Sequence, residues 1–133
     1  MGSLPILAEH LSEKTWAMSD YFPFKIETLL EQCGGNKMVG EVILDEFLIQ
    51  VATDTQEMAN CLASGNIVQA GKVGHRLKGT AGVLGASKLH ELCFTLEIAG
   101  KEGNIEDANK VYPDLKAETE RCVAAVPEAR IRL

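Results

Sequence analysis

Residues 71–85 read GKVGHRLKGTAGVLG and hold five of the twelve glycines in the chain. Runs this rich in glycine are usually loops, but the apolar residues here recur at intervals of three and four, which is helical spacing. At about 100° per residue, these apolar positions share an arc of about 80°. They are Ala70, Val73, Leu77, Ala81 and Leu84. The stretch therefore predicts a helix with one buried face.

His75 lies almost opposite this apolar arc on the helical wheel. Three glycines, Gly71, Gly79 and Gly82, fall within about 40° of it. A glycine inside a helix costs about 1 kcal/mol relative to alanine, and local inconsistencies of this kind are expected at functional sites. We infer a flat face on which another protein can approach an exposed histidine.

Two lysines, Lys72 and Lys78, flank His75 at about 60° on either side of the wheel. A single exposed histidine is usually an ordinary surface residue, so its neighbours decide the interpretation. A neutral imidazole is a nucleophile near neutral pH, and flanking ammonium groups attract a phosphoryl group and stabilise its charge. From position alone, Lys72, Arg76 and Gly71 are predicted to help dock a partner.

Helical spacing continues along the rest of the chain, and no strand-like alternation of useful length appears. The predicted helices cover about 25–33, 37–63, 67–84, 89–99 and 105–126, with a stop at Gly103-Asn104 before the last one. Their short connections favour antiparallel neighbours. The predicted fold is all-α, an antiparallel up-down-up-down four-helix bundle with one or two extra N-terminal helices.

Three segments are expected along the chain. Residues 1–23 are predicted to form an N-terminal extension or short helix, residues 24–126 the four-helix bundle, and residues 127–133 a C-terminal tail. Pro113 is predicted to kink or divide the last helix near Tyr112, because proline removes a backbone donor and crowds the preceding turn.

Composition narrows the possible functions. The chain has 133 residues, a net charge of −6 and a pI of about 5.0. One domain of this size can bury a real core, and an acidic protein is a poor candidate for binding nucleic acid or anionic membrane. We expect a cytoplasmic monomer that spans no membrane. The four cysteines are far apart in sequence and are predicted to be reduced and mostly buried.

Two chemical alternatives fit the sequence poorly. Residues 74–80, GHRLKGT, resemble a phosphate-binding loop, but that motif needs Gly-Lys-Thr in order and a preceding strand. A metal site in a bundle needs several inward-pointing ligands. His10, His75 and His90 form no i, i+4 pair. We therefore expect no bound cofactor and no metal site in this chain.

Residues 74–86, GHRLKGTAGVLGA, resemble the signature of histidine-containing phosphotransfer (HPt) domains, roughly H-x-L-K-G followed by small residues and L-G-A. Residues 26–35, IETLLEQCGG, are similar to the lead-in helix and Gly-Gly turn of that family. Further matches lie in the two last helices: Leu89, Leu92, Cys93, Leu96 and Glu97 in one, Leu115 and Glu118 in the other. The resemblance covers about residues 24–126.

The resemblance implies a phosphorelay intermediate in two-component signalling. His75 would be the phosphoacceptor, Lys78 would lie near the phosphohistidine, and Gly79 and Gly82 would occupy the small positions where a receiver domain docks. Such domains carry no ATP site and are not enzymes in their own right. The partners implied are receiver domains and a hybrid sensor histidine kinase, and the receiver would supply Mg²⁺.

Two alternatives stay open at this point. One is an adaptor bundle that docks receiver domains without carrying phosphate. The other is the excised phosphotransfer domain of a hybrid sensor kinase, which should acquire no label from ATP and Mg²⁺ alone.

Overall fold

The computed structural model describes residues 21–133, which fold into five α-helices with no strand among them. In chain order the helices are α1 (Ile26–Gln32), α2 (Lys37–Ala63), α3 (Ile67–Leu84), α4 (Ser87–Glu102) and α5 (Ile105–Arg132). The predicted all-α class is confirmed. One predicted extra N-terminal helix corresponds to α1. The predicted segment 1–23 lies outside the described residues except for its last three, and its limits stay a prediction.

Short polar turns separate the long helices. Helix α3 ends at Gly85, whose φ of 67° is left-handed, a conformation that glycine adopts without steric cost. A Cβ there would also lie 2.8 Å from the Lys25 backbone oxygen. Helices α3 and α5 begin after asparagine caps, because Asn66 accepts a hydrogen bond from the Gln69 backbone and Asn104 from that of Asp107.

The four long helices pack in a ring, in which α3 contacts α2 and α4, and α5 contacts α4 and α2. Between α3 and α4, Gly71 meets Gly100 and His75 meets Glu97. Residue numbers rise along one helix as they fall along the other, which is the order of antiparallel neighbours. The structure is thus a helical bundle in which α3 and α4 are antiparallel neighbours, and the full up-down-up-down topology stays a prediction.

The core lies inside this ring. The five apolar residues predicted for the buried face of α3 are all fully buried: Ala70, Val73, Leu77, Ala81 and Leu84. Leucines from α2, α4 and α5 meet them, and Phe24 and Phe47 pack edge to face at 6.0 Å near one end. The core therefore fixes the rotation of α3 about its own axis.

Apolar spacing predicts a buried stripe on α2 that begins with Val39 and Val42 and continues through Phe47 and Val51. This prediction is wrong in the first turns of the helix. Val39 and Val42 are exposed, and Gly40 and Leu44 face the core instead. Apolar residues occur on several sides of this helix, so spacing alone did not select the buried one. The choice follows from packing, since Gly40 lies against Leu133 from the end of the chain.

Helix α5 runs without interruption from Ile105 to Arg132. It is not divided at Pro113, although a proline inside a helix costs roughly 3 kcal/mol. Burial of Ala108 before the proline and of Leu115 after it anchors both parts of the helix in the core. The helix also continues through residues 127–132, which were expected as a tail. There the buried Ala129 holds it against the bundle.

All four cysteines are free and buried, as predicted: Cys33, Cys61, Cys93 and Cys122. Burial raises the pKa of the Cys93 thiol to about 12, so this thiol stays protonated near neutral pH. Within residues 21–133, no helix is both long enough and apolar enough to cross a membrane.

Candidate functional site

His75 projects from the middle of α3, and 68% of its side-chain surface is exposed. The buried apolar arc lies on the other side of the helix, so the core orients the imidazole toward solvent. The prediction that His75 is exposed opposite the buried face of its helix is therefore confirmed.

Two of the three glycines predicted beside His75 are exposed, namely Gly79 and Gly82. A Cβ at Gly79 would meet nothing within 4 Å, and one at Gly82 would meet only His90 Cδ2, at 3.8 Å. Neither glycine is needed for packing among the residues that the structure describes. Their lack of side chains instead leaves the surface beside the imidazole flat.

The third glycine, Gly71, is buried rather than exposed. The helical wheel places it near His75, but α4 crosses α3 at this turn and covers it with Gly100. The predicted exposed position of Gly71 is therefore wrong, because a wheel shows the face of a helix and not which neighbour covers each turn. Gly71 packs inside the molecule and offers no side chain to a partner.

Glu97 of α4 approaches the phosphoacceptor candidate from the side. Its Oε2 lies 2.8 Å from His75 Nδ1, and its Oε1 lies 2.6 Å from Lys78 Nζ. Lys101, one turn further along α4, places its Nζ 3.5 Å from the same Oε2. Only 7% of the Glu97 side chain is exposed. One buried carboxylate therefore joins the imidazole to two ammonium groups.

The Lys78 ammonium, together with the His75 contact, outweighs burial and lowers the pKa of Glu97 to about 2. The carboxylate is therefore ionised at neutral pH and can only accept hydrogen bonds. His75 must donate to it, which places the imidazole proton on Nδ1. In the neutral ring Nε2 then keeps its lone pair, and within the described part of the chain this atom has no hydrogen-bond partner.

Lys78 is mostly covered, with 21% of its side chain exposed. Its Nζ lies 5.0 Å from the centre of the Phe94 ring, a favourable cation–π distance. The carboxylate of Glu97 and the ring of Phe94 thus hold this ammonium between α3 and α4, beside the imidazole. Its predicted role in stabilising phosphoryl charge stays a prediction.

Arg76 and Lys72 are four residues apart on α3, so they share one flank of His75, and they differ in their contacts. Arg76 donates to Asp54 at 3.0 and 2.6 Å and to Glu57 at 2.8 Å, so its guanidinium is held by α2. The bond from Arg76 to Glu57 lowers the pKa of Glu57. Lys72 is exposed and borders a groove beside His75. Neither docking role is tested, but Arg76 already has two partners within the chain.

The groove beside His75 has a volume of about 380 Å³ and runs between α3 and α4. It is lined by Val68, Gly71, Lys72, His75, Glu97, Gly100 and Lys101. Most of this lining is apolar, with basic groups at its edges. A partner that reaches the imidazole from this side therefore meets a shallow apolar surface beside positive charge.

The sequence analysis did not predict that Glu97 would lie beside His75, and it did not consider Lys101. Glu97 was noticed only as part of a helix pattern. Its signal is a charged residue inside an otherwise apolar stripe, between Cys93 and Gly100 on the buried face of α4. A charge at such a position is rarely left unpaired. In residues 21–133, no group of three His, Cys, Asp or Glu residues is arranged to hold a metal ion.

Residues 42–125 match the family model described as Hpt domain. No curated protein and no solved structure matches the chain. The family match covers more than half of the chain and includes α3, α4 and most of α2 and α5. The chain therefore belongs to the Hpt domain family, whose members carry out histidine phosphotransfer in two-component signalling.

Proposed function

We propose that this Hpt domain is a phosphorelay intermediate, which accepts a phosphoryl group on His75 from one receiver domain and passes it to another. The observation that carries the proposal is the state of the His75 imidazole. Nδ1 is hydrogen-bonded to Glu97, and the ring is exposed on a flat helical face. This combination leaves a lone pair on Nε2 within reach of a second protein.

The proposed transfer of the phosphoryl group needs no cofactor from this chain. The Nε2 lone pair attacks the phosphorus of a receiver aspartyl phosphate, so an N–P bond forms and the acyl O–P bond breaks. The electron pair of that bond stays on the aspartate as a carboxylate. The ring, still protonated on Nδ1, gains positive charge, which the Glu97 carboxylate at 2.8 Å stabilises. Transfer to a second receiver reverses these changes.

Phosphoryl transfer depends mainly on positioning and on charge around the transferred group. In our proposal Glu97 orients the nucleophile, while Lys78 and Lys101 supply positive charge beside it. Gly79 and Gly82 give the receiver clearance, and Lys72 contributes charge at the edge of the contact. The receiver brings the aspartate and Mg²⁺. We further propose that the domain acts in the cytoplasm as a monomer, with a hybrid sensor kinase upstream.

The direct test is phosphotransfer from receiver domains carrying labelled aspartyl phosphate. We expect the wild-type chain to acquire an acid-labile, alkali-stable label and His75→Gln to acquire none. His90→Gln removes another exposed histidine from the neighbouring helix and should keep the label. Circular dichroism and urea unfolding confirm that the variants fold.

Two results would contradict the proposal. Equal labelling of wild type and His75→Gln would place the phosphoryl group elsewhere. Stable binding of receivers without transfer in either direction would favour an adaptor instead. Incubation with ATP and Mg²⁺ alone should give no label, because the chain is proposed to depend on a receiver as donor.

A further inference from the structure

The backbones of α3 and α4 approach each other closely at a pair of glycines, Gly71 and Gly100. A Cβ on Gly71 would lie 2.9 Å from Gly100 Cα, and one on Gly100 would lie 2.6 Å from Gly71 Cα. A Cβ on Gly100 would also lie 3.1 Å from the Ile67 carbonyl oxygen. Carbon atoms normally pack about 3.5–4.0 Å apart. A side chain at either position therefore requires the two helices to separate.

This contact is one helical turn from the His75–Glu97 hydrogen bond on both helices. Gly71 precedes His75 by four residues, and Gly100 follows Glu97 by three, so each glycine shares a helix face with its partner in that bond. The Glu97 carbonyl oxygen lies 3.5 Å from a Cβ placed on Gly71. The distance between the two backbones at the glycines thus sets the distance that the two side chains must span.

We propose that Gly71 and Gly100 are positioning residues, which hold α3 and α4 close enough for Glu97 to fix the proton of His75 on Nδ1. The proposal rests on the phosphotransfer function of His75 and adds the element that tunes it. Alanine is the better helix former, and glycine at both positions is explained by the short distance between the backbones.

The separation of α3 and α4 that an alanine requires is larger than the His75–Glu97 hydrogen bond can tolerate. To reach about 3.5 Å, the contact must widen by roughly 0.6 Å for alanine at position 71 and 0.9 Å for alanine at position 100. The His75–Glu97 distance of 2.8 Å would then exceed the usual upper limit of about 3.2 Å for such a bond. Glu97 is also drawn away from His75, because Lys101 on its own helix α4 places its Nζ 3.5 Å from the same Oε2.

The test uses Gly100→Ala, the milder Gly71→Ala, and Ala129→Gly as a control that loosens a buried position of α5. Nitrogen-15 NMR of the imidazole reports which ring nitrogen carries the proton, without any phosphotransfer. We expect Nδ1–H in wild type and Ala129→Gly, and a mixture of the two tautomers in Gly100→Ala. Gly71→Ala should shift the same way by a smaller amount.

Transfer from a phosphorylated receiver should slow about ten- to a hundredfold in Gly100→Ala, since displacement of a reacting group by about 1 Å can cost up to about a hundredfold. It should stay within about twofold in Ala129→Gly. If Gly100→Ala and Gly71→Ala both fold and keep the wild-type Nδ1–H signal, the positioning role is wrong. If the signal changes while wild type itself transfers no phosphate, the positioning role stands and the proposed function fails.

Discussion

His75 and Arg76 are neighbours on α3, and each bonds a carboxylate 22 residues away in sequence, on opposite sides of the helix. Toward α4, Glu97 binds one nitrogen of the imidazole, and the other nitrogen has no hydrogen-bond partner among residues 21–133. Toward α2, Asp54 and Glu57 together bind the guanidinium at two of its nitrogens. The same kind of pair therefore orients a reactive group on one side and joins two helices on the other.

The difference lies in what remains exposed after the pair has formed. The imidazole of His75 is exposed for 68% of its surface, although its carboxylate partner is buried. The Asp54 side chain is 2% exposed, and the guanidinium that covers it lies against α2. We infer that the contact of His75 with α4 serves phosphotransfer and that the contact of Arg76 with α2 serves stability. Variants on one side should therefore leave the property of the other side unchanged.

The largest expected effect on stability comes from the α2 side. Asp54→Ala should lower the free energy of unfolding by about 2 kcal/mol, because it removes the buried partner of Arg76. This value is below the usual 3–5 kcal/mol for a buried pair, since the Arg76 side chain is 44% exposed and stays partly hydrated. Urea unfolding measures the change.

Transfer by the folded fraction of Asp54→Ala should stay within about twofold of wild type, because no contact of His75 changes. Asp54→Asn is the matched control, which keeps an acceptor and should lose about half as much stability. A large loss of transfer in either variant, with the fold intact, would show that Arg76 takes part in docking and that the two sides are not separate.

On the α4 side, Glu97→Gln should slow transfer about tenfold, or about 1.4 kcal/mol in activation free energy. An amide can donate as well as accept, so it no longer fixes the proton of His75 on Nδ1. The rate of label transfer from a phosphorylated receiver measures this effect. An unchanged rate would mean that the carboxylate does not orient the nucleophile.

The same variant gives a pH signature. The pKa of Glu97 is about 2 in the folded chain, below its ordinary value of 4.5. Its ion pairs therefore stabilise the fold above about pH 4.5, and this contribution is lost as the pH falls toward 2. The stability difference between wild type and Glu97→Gln should shrink over that range. A difference that stays constant with pH would rule out an ionised Glu97.

The smallest expected effect is at Gly79. Gly79→Ala should stabilise the chain by about 1 kcal/mol, because alanine is the better helix former and its methyl group meets nothing within 4 Å. Transfer should nevertheless slow severalfold, since the methyl group stands on the face that the receiver needs. Thr53→Ala on the exposed side of α2 is the control. It should raise stability slightly and leave transfer unchanged.

The main parts of the fold could be predicted from the sequence because local rules decide them. The spacing from Ala70 to Leu84 places His75 outward, and the turn at Gly85 ends the helix where the pattern does. Such features depend on residues within one helix. They need no knowledge of the partner helix.

What spacing could not predict depends on contacts between helices. The burial of Gly71 follows from where α4 crosses, and the exposure of Val42 follows from which side of α2 the core selects. Glu97 is close to His75 only because two helices meet at that turn. A periodic pattern shows that a face is apolar, but it does not show which side chains meet across it.

The most direct test of the central claim is to locate the phosphoryl group on the wild-type chain after transfer from a receiver. Phosphorus-31 and nitrogen-15 NMR of the phosphorylated protein distinguish the two ring nitrogens. The account predicts phosphate on Nε2 of His75, with a proton on Nδ1 shared with Glu97. Phosphate on Nδ1, or on any residue other than His75, would contradict it.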